Sequence, residues 1–204
     1  QINLNNGDGT STLSLDEAAQ LISSIPGVVA DYPINNFFGY SFNSMDSEVY
    51  IQNTYMGDEN AEILSKVLAV MTGCQRFVLD ECGFSNELMY QLRDTYRDRT
   101  KLVWRVHCGP YFDRLTDIQS IWTSATGCIN DNNSYNLRYF EDLKYVDLGH
   151  HQQMTDVSWL YYTPKVEVII FAECRIKDMT PVASLKNLWY LEIYDAAFTD
   201  ISCI

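Results

Sequence analysis

The chain has 204 residues, room for one large domain or two small ones. Its 47% hydrophobic content allows a sizeable core, and no run of 18 apolar residues is present to make a membrane-crossing helix. With 27 acidic and 14 basic residues the formal charge is −13, which disfavours nucleic acid and direct membrane insertion or adhesion, because anionic surfaces call for a basic face.

The chain starts at Gln1 with neither an initiator Met nor a signal-peptide pattern, so a mature or trimmed N-terminus is expected. The first ten residues read as flexible. Within them "NNGDG" is like a calcium loop. Setting Gly9 as the sixth residue of such a loop, however, puts Leu4 and Leu15 where Asp and Glu are required. "SLDEAAQLISSIPG" predicts a helix, with Ser14 as N-cap, Glu17 three residues later and Gly27 as stop. Together with "FFGYSFNSM" it is expected to form an N-terminal cap, so that 1–47 comprise a flexible start and a helical cap.

Residues 48–117 read as longer β-α units. "SEVYIQN" is a strand and "DENAEILSKVLAVMTG" an amphipathic helix ended by Gly73. "CQRFVLDECGF" is the next strand and turn. A helical stretch with Leu88, Leu92 and Tyr96 at i, i+4 and i+8 follows. "KLVWRVHC" is a third strand, and 107–117 read as an irregular connection.

Residues 118–204 repeat themselves. Val166, Ile169 and Phe171 recur 22 residues on as Leu188, Leu191 and Ile193; Ile176, Asp178, Met179 and Val182 recur as Phe198, Asp200, Ile201 and Ile204. Leu143, Val146 and Leu148 stand 23 residues before their counterparts, and Met154, Asp156, Val157 and Leu160 stand 22 before, so the extra residue falls in "GHHQQ". A weaker copy has Ile118, Ile121, Thr123, Ile129 and Asp131 at an offset of 25. Apolar residues at repeat positions four and six predict a short strand with one buried face. The Asp-x-Ser/Thr at Asp156, Asp178 and Asp200 predicts a turn whose side chains bind free backbone N–H groups. No unit of this size buries its own face, so neighbours stack. The last copy stops at its seventeenth position, which leaves three expectations open: a longer natural chain, a trimmed one, or a neighbouring chain over this end.

The L-x-x-L-x-L pattern with its following turn resembles the leucine-rich repeat. "TDISCI" and "KDMTPVASLKNL" resemble the internalin-like, short-repeat branch of bacterial surface proteins; the β-α units before them resemble the ribonuclease-inhibitor-like variety. The resemblance implies an α/β leucine-rich-repeat solenoid, or horseshoe. A parallel sheet would line one face, with helices (N-terminal part) or short turns (C-terminal part) on the other. It also implies that Cys82 and Cys174, at position nine, tie the loop backbone from a buried site.

The six cysteines show no CxxC and are expected to be mostly free and buried. His107, Cys108, His150, His151 and Cys174 all follow strands, so a metal or Cys-His hydrolase site is one reading. Against it, the ligand spacing is unspecific, His107 and Cys108 point to opposite faces of a strand, and His150 and His151 fall in an inserted, solvent-facing loop. No GxSxG, P-loop or GxGxxG is present. No cofactor is expected and no enzymatic activity.

Positions three and five face outward across the sheet. They hold Ser120, Tyr145, Val168 and Tyr190, and Trp122, Asp147, Ile170 and Glu192, with Tyr194 at position seven. Arg76, Val78, Asp80 and Arg105 are expected on the comparable face of the N-terminal half. Aromatic and aliphatic side chains with acids among them suit a protein interface, although strand propensity also favours Tyr, Val and Ile. The candidate ligand-binding residues are therefore Trp122, Tyr145, Asp147, Val168, Ile170, Tyr190, Glu192 and Tyr194. The function expected is an extracellular or cell-surface bacterial recognition module for a protein partner, with a glycan as second ligand class. The alternative is a structural spacer that self-associates.

Overall fold

The computed structural model describes residues 1–123 and 126–204. The chain divides into two compact units, Gln1–Trp104 and Arg105–Ile204.

The first unit opens with β1 (Ile2–Asn3), which pairs in parallel with β2 (Ala30–Asp31), within the stretch expected to be a flexible start. The "NNGDG" segment caps itself: Asn5 Oδ1 accepts from Gly7 N–H, and Asp8 Oδ1 from Thr10 N–H. Helix α1 (Leu15–Ser23) carries the predicted capping box, Ser14 and Glu17 each bonding the other's backbone. β3 (Pro33–Phe37) and β4 (Tyr40–Asn43) form a hairpin. Phe38 and Gly39 at its turn both have positive φ, as a tight right-twisting hairpin turn requires. Phe42 meets Phe77 edge-on at 5.7 Å between ring centres.

Next come β5 (Glu48–Gln52), α2 (Ala61–Val70), β6 (Arg76–Asp80), α3 (Asn86–Thr95) and β7 (Lys101–His107). β5, β6 and β7 pair in parallel, with Val49, Phe77 and Leu102 in one register row and Ile51, Leu79 and Trp104 in another. All six of these side chains are buried. The helices cross between strands, as parallel pairing demands. In α3 the buried face is Met89, Leu92 and Arg93; Leu88, expected inside, is only half-buried. The Arg93 guanidinium lies over the Trp104 ring, 4.7 Å from its centre.

In the second unit Arg105–His107 of β7 pair antiparallel with β8 (Asp113–Leu115), so the stretch read as an irregular connection is a hairpin. Gly109 at its bend has φ +103°, and a Cβ there would lie 2.6 Å from the Cys128 carbonyl oxygen and 2.7 Å from Asn133 Nδ2. β9 (Ser120–Trp122), β10 (Tyr145–Asp147), β11 (Val168–Ile170) and β12 (Tyr190–Glu192) then form one parallel sheet. Their register is the one the repeat spacing predicts: Ser120, Tyr145, Val168 and Tyr190 in one row, Ile121, Val146, Ile169 and Leu191 in the next, Trp122, Asp147, Ile170 and Glu192 in the third. Short 3-10 turns at Ser134–Tyr139, Ser158–Tyr162 and Thr180–Ser184 return the chain. Ser158 N–H donates to Asp156 Oδ1, Thr180 N–H to Asp178 Oδ1 and Ser202 N–H to Asp200 Oδ1, all at 2.8 Å. The recurring Asp therefore starts the turn by binding a backbone donor two residues on.

Two positions of the repeat lock each rung to its neighbour. Position eight is left-handed in Asn53, Glu81, His150, Glu173 and Asp195, although none is glycine. The conformation aims its N–H at the following rung: Asn53 to Asp80 O, His150 to Ala172 O, Glu173 to Tyr194 O. That bond offsets a conformation that costs a residue with a Cβ about 1–2 kcal/mol. Position nine donates back to position six of the preceding rung. Cys82 Sγ reaches Ile51 O at 3.6 Å and Cys174 Sγ reaches Leu148 O at 3.0 Å.

His151 occupies this same position and is fully buried, which corrects the expectation of a solvent-facing loop. Its Nδ1 accepts from Ile129 N–H at 3.2 Å, so the neutral ring carries its proton on Nε2, which donates to Thr123 O at 2.9 Å. The imidazole of His151 thus performs the work of the Cys82 and Cys174 thiols.

Candidate protein-interaction face

The outward rows of β9–β12 lie in the open. Trp122 is 74% exposed, Tyr190 42%, Tyr145 36% and Tyr194 65%. Glu192 is exposed, and Asp147, Val168 and Ile170 are half-buried by their neighbours in the rows. The inward row beneath them is closed, with Ile121, Val146 and Ile169 fully buried. A rigid apolar layer therefore presents these side chains at fixed strand spacing, so little conformational freedom remains to be lost when another surface meets them.

All eight residues named from the sequence fall on this sheet or at its C-terminal margin. Trp189 was missed. It is 72% exposed and packs edge-on against Tyr190 at 6.0 Å, extending the aromatic surface. It sits at position two, outside the strand rows from which the face was read. Tyr190 O–H donates to Glu192 Oε2 at 2.9 Å, and this bond, to an acceptor already charged, raises the phenol's pKa.

β6 and β7 do not offer a matching open row of apolar side chains. Val78 and Asp80 on β6 and Val103 on β7 are buried, against the expectation that Val78 and Asp80 face outward. Asp80 accepts from the Tyr50 hydroxyl at 2.6 Å. Arg76 pairs with Glu48, and Arg105 with Asp113 at 2.7 Å. These charges hold strands together.

The groups considered for metal or hydrolytic chemistry are dispersed into structural roles. His107 is exposed while Cys108 is buried, on opposite sides of the chain. His150 pairs with Glu173 at 2.9 Å. Burial pushes the Cys108 thiol far up and the Cys174 thiol to about 11, so neither supplies a thiolate at neutral pH. Among the described residues no three His, Cys, Asp or Glu side chains gather into a metal-binding group, and no helix is long and apolar enough to cross a membrane.

No protein-family model and no curated protein matches the chain. It is similar to solved structures of internalins and of a leucine-rich-repeat protein, all at low identity. Internalin C2 of Listeria monocytogenes is 17% identical over 69% of this chain and 50% of its own, with a TM-score of 0.34. An internalin F of the same species is 12% identical over 93% of this chain and 57% of its own, with a TM-score of 0.40. A leucine-rich-repeat protein of Leptospira interrogans is 9% identical, covering 76% and 33%, with a TM-score of 0.29. The chain spans about half the length of the internalin structures it matches.

Proposed function

We propose that the chain is a recognition module whose working surface is the outward face of β9–β12, that its ligand is a protein, and that it acts outside the cytoplasm or at a bacterial surface without catalysing a reaction. One observation carries the reading: four aromatic side chains, Trp122, Tyr145, Tyr190 and Tyr194, stand exposed on one sheet whose inward residues Ile121, Val146 and Ile169 are fully buried. Clustered exposed aromatics on a soluble fold mark contact surfaces, because leaving them in water forgoes their burial energy. The rows carry Tyr and Trp, the residue types on which interfaces concentrate their energy.

The test replaces Tyr145, Ile170 and Tyr190 together by Ser. All three point away from the core, so the fold stays intact by circular dichroism while association is lost. Association that survives the triple change would rule the face out.

A second reading is self-assembly, with the same exposed aromatic rows as the contact between copies of the chain. Light scattering separates the two. A recognition module keeps its monomer mass on dilution, whereas a self-assembling one changes mass with concentration.

A further inference from the structure

We infer that the partner presents basic side chains to this face, arginine foremost, on either side of an aliphatic step. The inference rests on the recognition reading above and deepens it. On β10 Asp147 stands two residues beyond Tyr145 on the same side of the strand, and it pairs in register with Trp122 of β9. On β12 Glu192 likewise stands beside Tyr190 and holds its hydroxyl at 2.9 Å. Val168 and Ile170 of β11 lie between the two. Neighbouring strands are about 4.8 Å apart, so the two carboxylates sit roughly 10 Å from each other across an aliphatic strip.

The charge of the face has one sign. No Lys or Arg occupies the outward rows of the four strands. The basic groups at its margins are already engaged, Lys144 with Glu167 at 3.8 Å and His150 with Glu173 at 2.9 Å. Among the described residues neither Asp147 nor Glu192 has an ion-pair partner. Each carboxylate stands beside an aromatic residue of the rows, Asp147 in register with Trp122 and Glu192 at the Tyr190 hydroxyl, and a cation placed there is attracted by the charge and by the ring. Arginine suits the arrangement better than lysine, since its planar guanidinium stacks on a ring while its N–H groups reach the carboxylate. Among the described residues Asp147 Oδ1 accepts only the Gly149 N–H at 3.1 Å and Glu192 the Tyr190 hydroxyl, so an acidic partner meets two carboxylates that no cation there neutralises and the field of a chain carrying a net −13.

The probe is a fluorescein-labelled helical peptide of alanine and glutamine with two arginines seven residues apart and leucines midway. Residues seven apart on a helix share a side and lie about 10 Å apart. Its twin carries citrulline, which keeps the shape of arginine and removes the charge. Fluorescence anisotropy is expected to show the arginine peptide binding the full chain roughly tenfold or more tightly than the citrulline twin. In the double variant Asp147→Asn, Glu192→Gln the ratio should fall below about twofold with citrulline binding unchanged. Equal binding of the two peptides, no binding of either, or an unchanged ratio in the double variant overturns the basic-partner inference. The face itself is judged separately by the triple serine variant: peptide binding that survives that change overturns the recognition reading instead.

Discussion

His151 stands to Thr123 as Cys174 stands to Leu148: each sends one side-chain proton back to a main-chain carbonyl of the preceding rung, at 2.9 and 3.0 Å. The histidine also accepts Ile129 N–H, a bond that a protonated ring cannot make. Burial comes first among the causes that lower its pKa from 6.5, outweighing the Thr123 carbonyl contact that favours the charged form.

The sign of the pH dependence follows. The unfolded chain binds this proton more readily, so stability rises with pH across the window between the lowered folded pKa and the unfolded value of about 6.5. The contribution is complete above that window and is lost as pH falls through it. Urea unfolding of the second unit at pH 7.5 and pH 5.5 should show the loss in the wild type and a flatter profile in His151→Asn. His151→Ala should cost about 2–3 kcal/mol at pH 7.5, since it leaves Ile129 N–H buried without an acceptor. An identical pH profile for wild type and His151→Asn contradicts the role.

The thiols give a second check. Cys74, Cys82, Cys108, Cys128 and Cys174 are buried and Cys203 is half-exposed, all six being free. A thiol-specific reagent should modify Cys203 alone in the native chain at pH 8, and all six in denaturant. Rapid native reaction at Cys108 would reopen the Cys-His reading.

Gly109→Ala tests the hairpin of the second unit. Its Cβ would meet Cys128 O and Asn133 Nδ2 well inside contact distance, in a backbone region L-residues rarely adopt. A loss of about 2 kcal/mol or more is expected in chemical denaturation. A neutral effect would mean the bend is free to rearrange.

Asp131 tests coupling between rungs. Burial pushes its carboxyl up, but three bonds outweigh that effect and lower its pKa: two from Thr155 backbone and hydroxyl and one from Asp156 N–H. Asp131→Ala should destabilise the second unit by about 1 kcal/mol at neutral pH. In the wild type the same contribution is lost as pH falls below about 3.9 through the lowered folded value. No change in the neutral midpoint would assign the clamp no energetic role.

Much of the second unit was legible because strand register follows the recurrence of Ile121, Val146, Ile169 and Leu191 at intervals of 25, 23 and 22 residues, and a slip by one residue would turn every one of them to water. The capping box of α1 was legible because its chemistry needs Ser and Glu three apart. His151 was not. At position nine Cys82 and Cys174 each donate to one carbonyl of the preceding rung, and His151 does the same with a side chain that elsewhere faces water. Position eight was also hidden. Asn53, Glu81, His150, Glu173 and Asp195 share no side-chain property that demands positive φ; in Asn53, His150 and Glu173 the conformation serves a bond to a carbonyl of the next rung. Val78 shows the remaining limit: alternation assigns a residue to a face, and burial depends on what covers that face.

The central claim, that the outward face of β9–β12 meets the partner, is tested most directly by site-specific photo-crosslinking. Benzoylphenylalanine replaces Trp122, Tyr145 or Tyr190 on the face, and Tyr55 or Tyr111, which belong to none of its strands; the two controls are 72% and 78% exposed. On irradiation in the native setting, the face positions should each form a covalent adduct with one and the same protein, and the control positions should not. Adducts confined to Tyr55 or Tyr111, or none from Trp122, Tyr145 and Tyr190, would contradict the account.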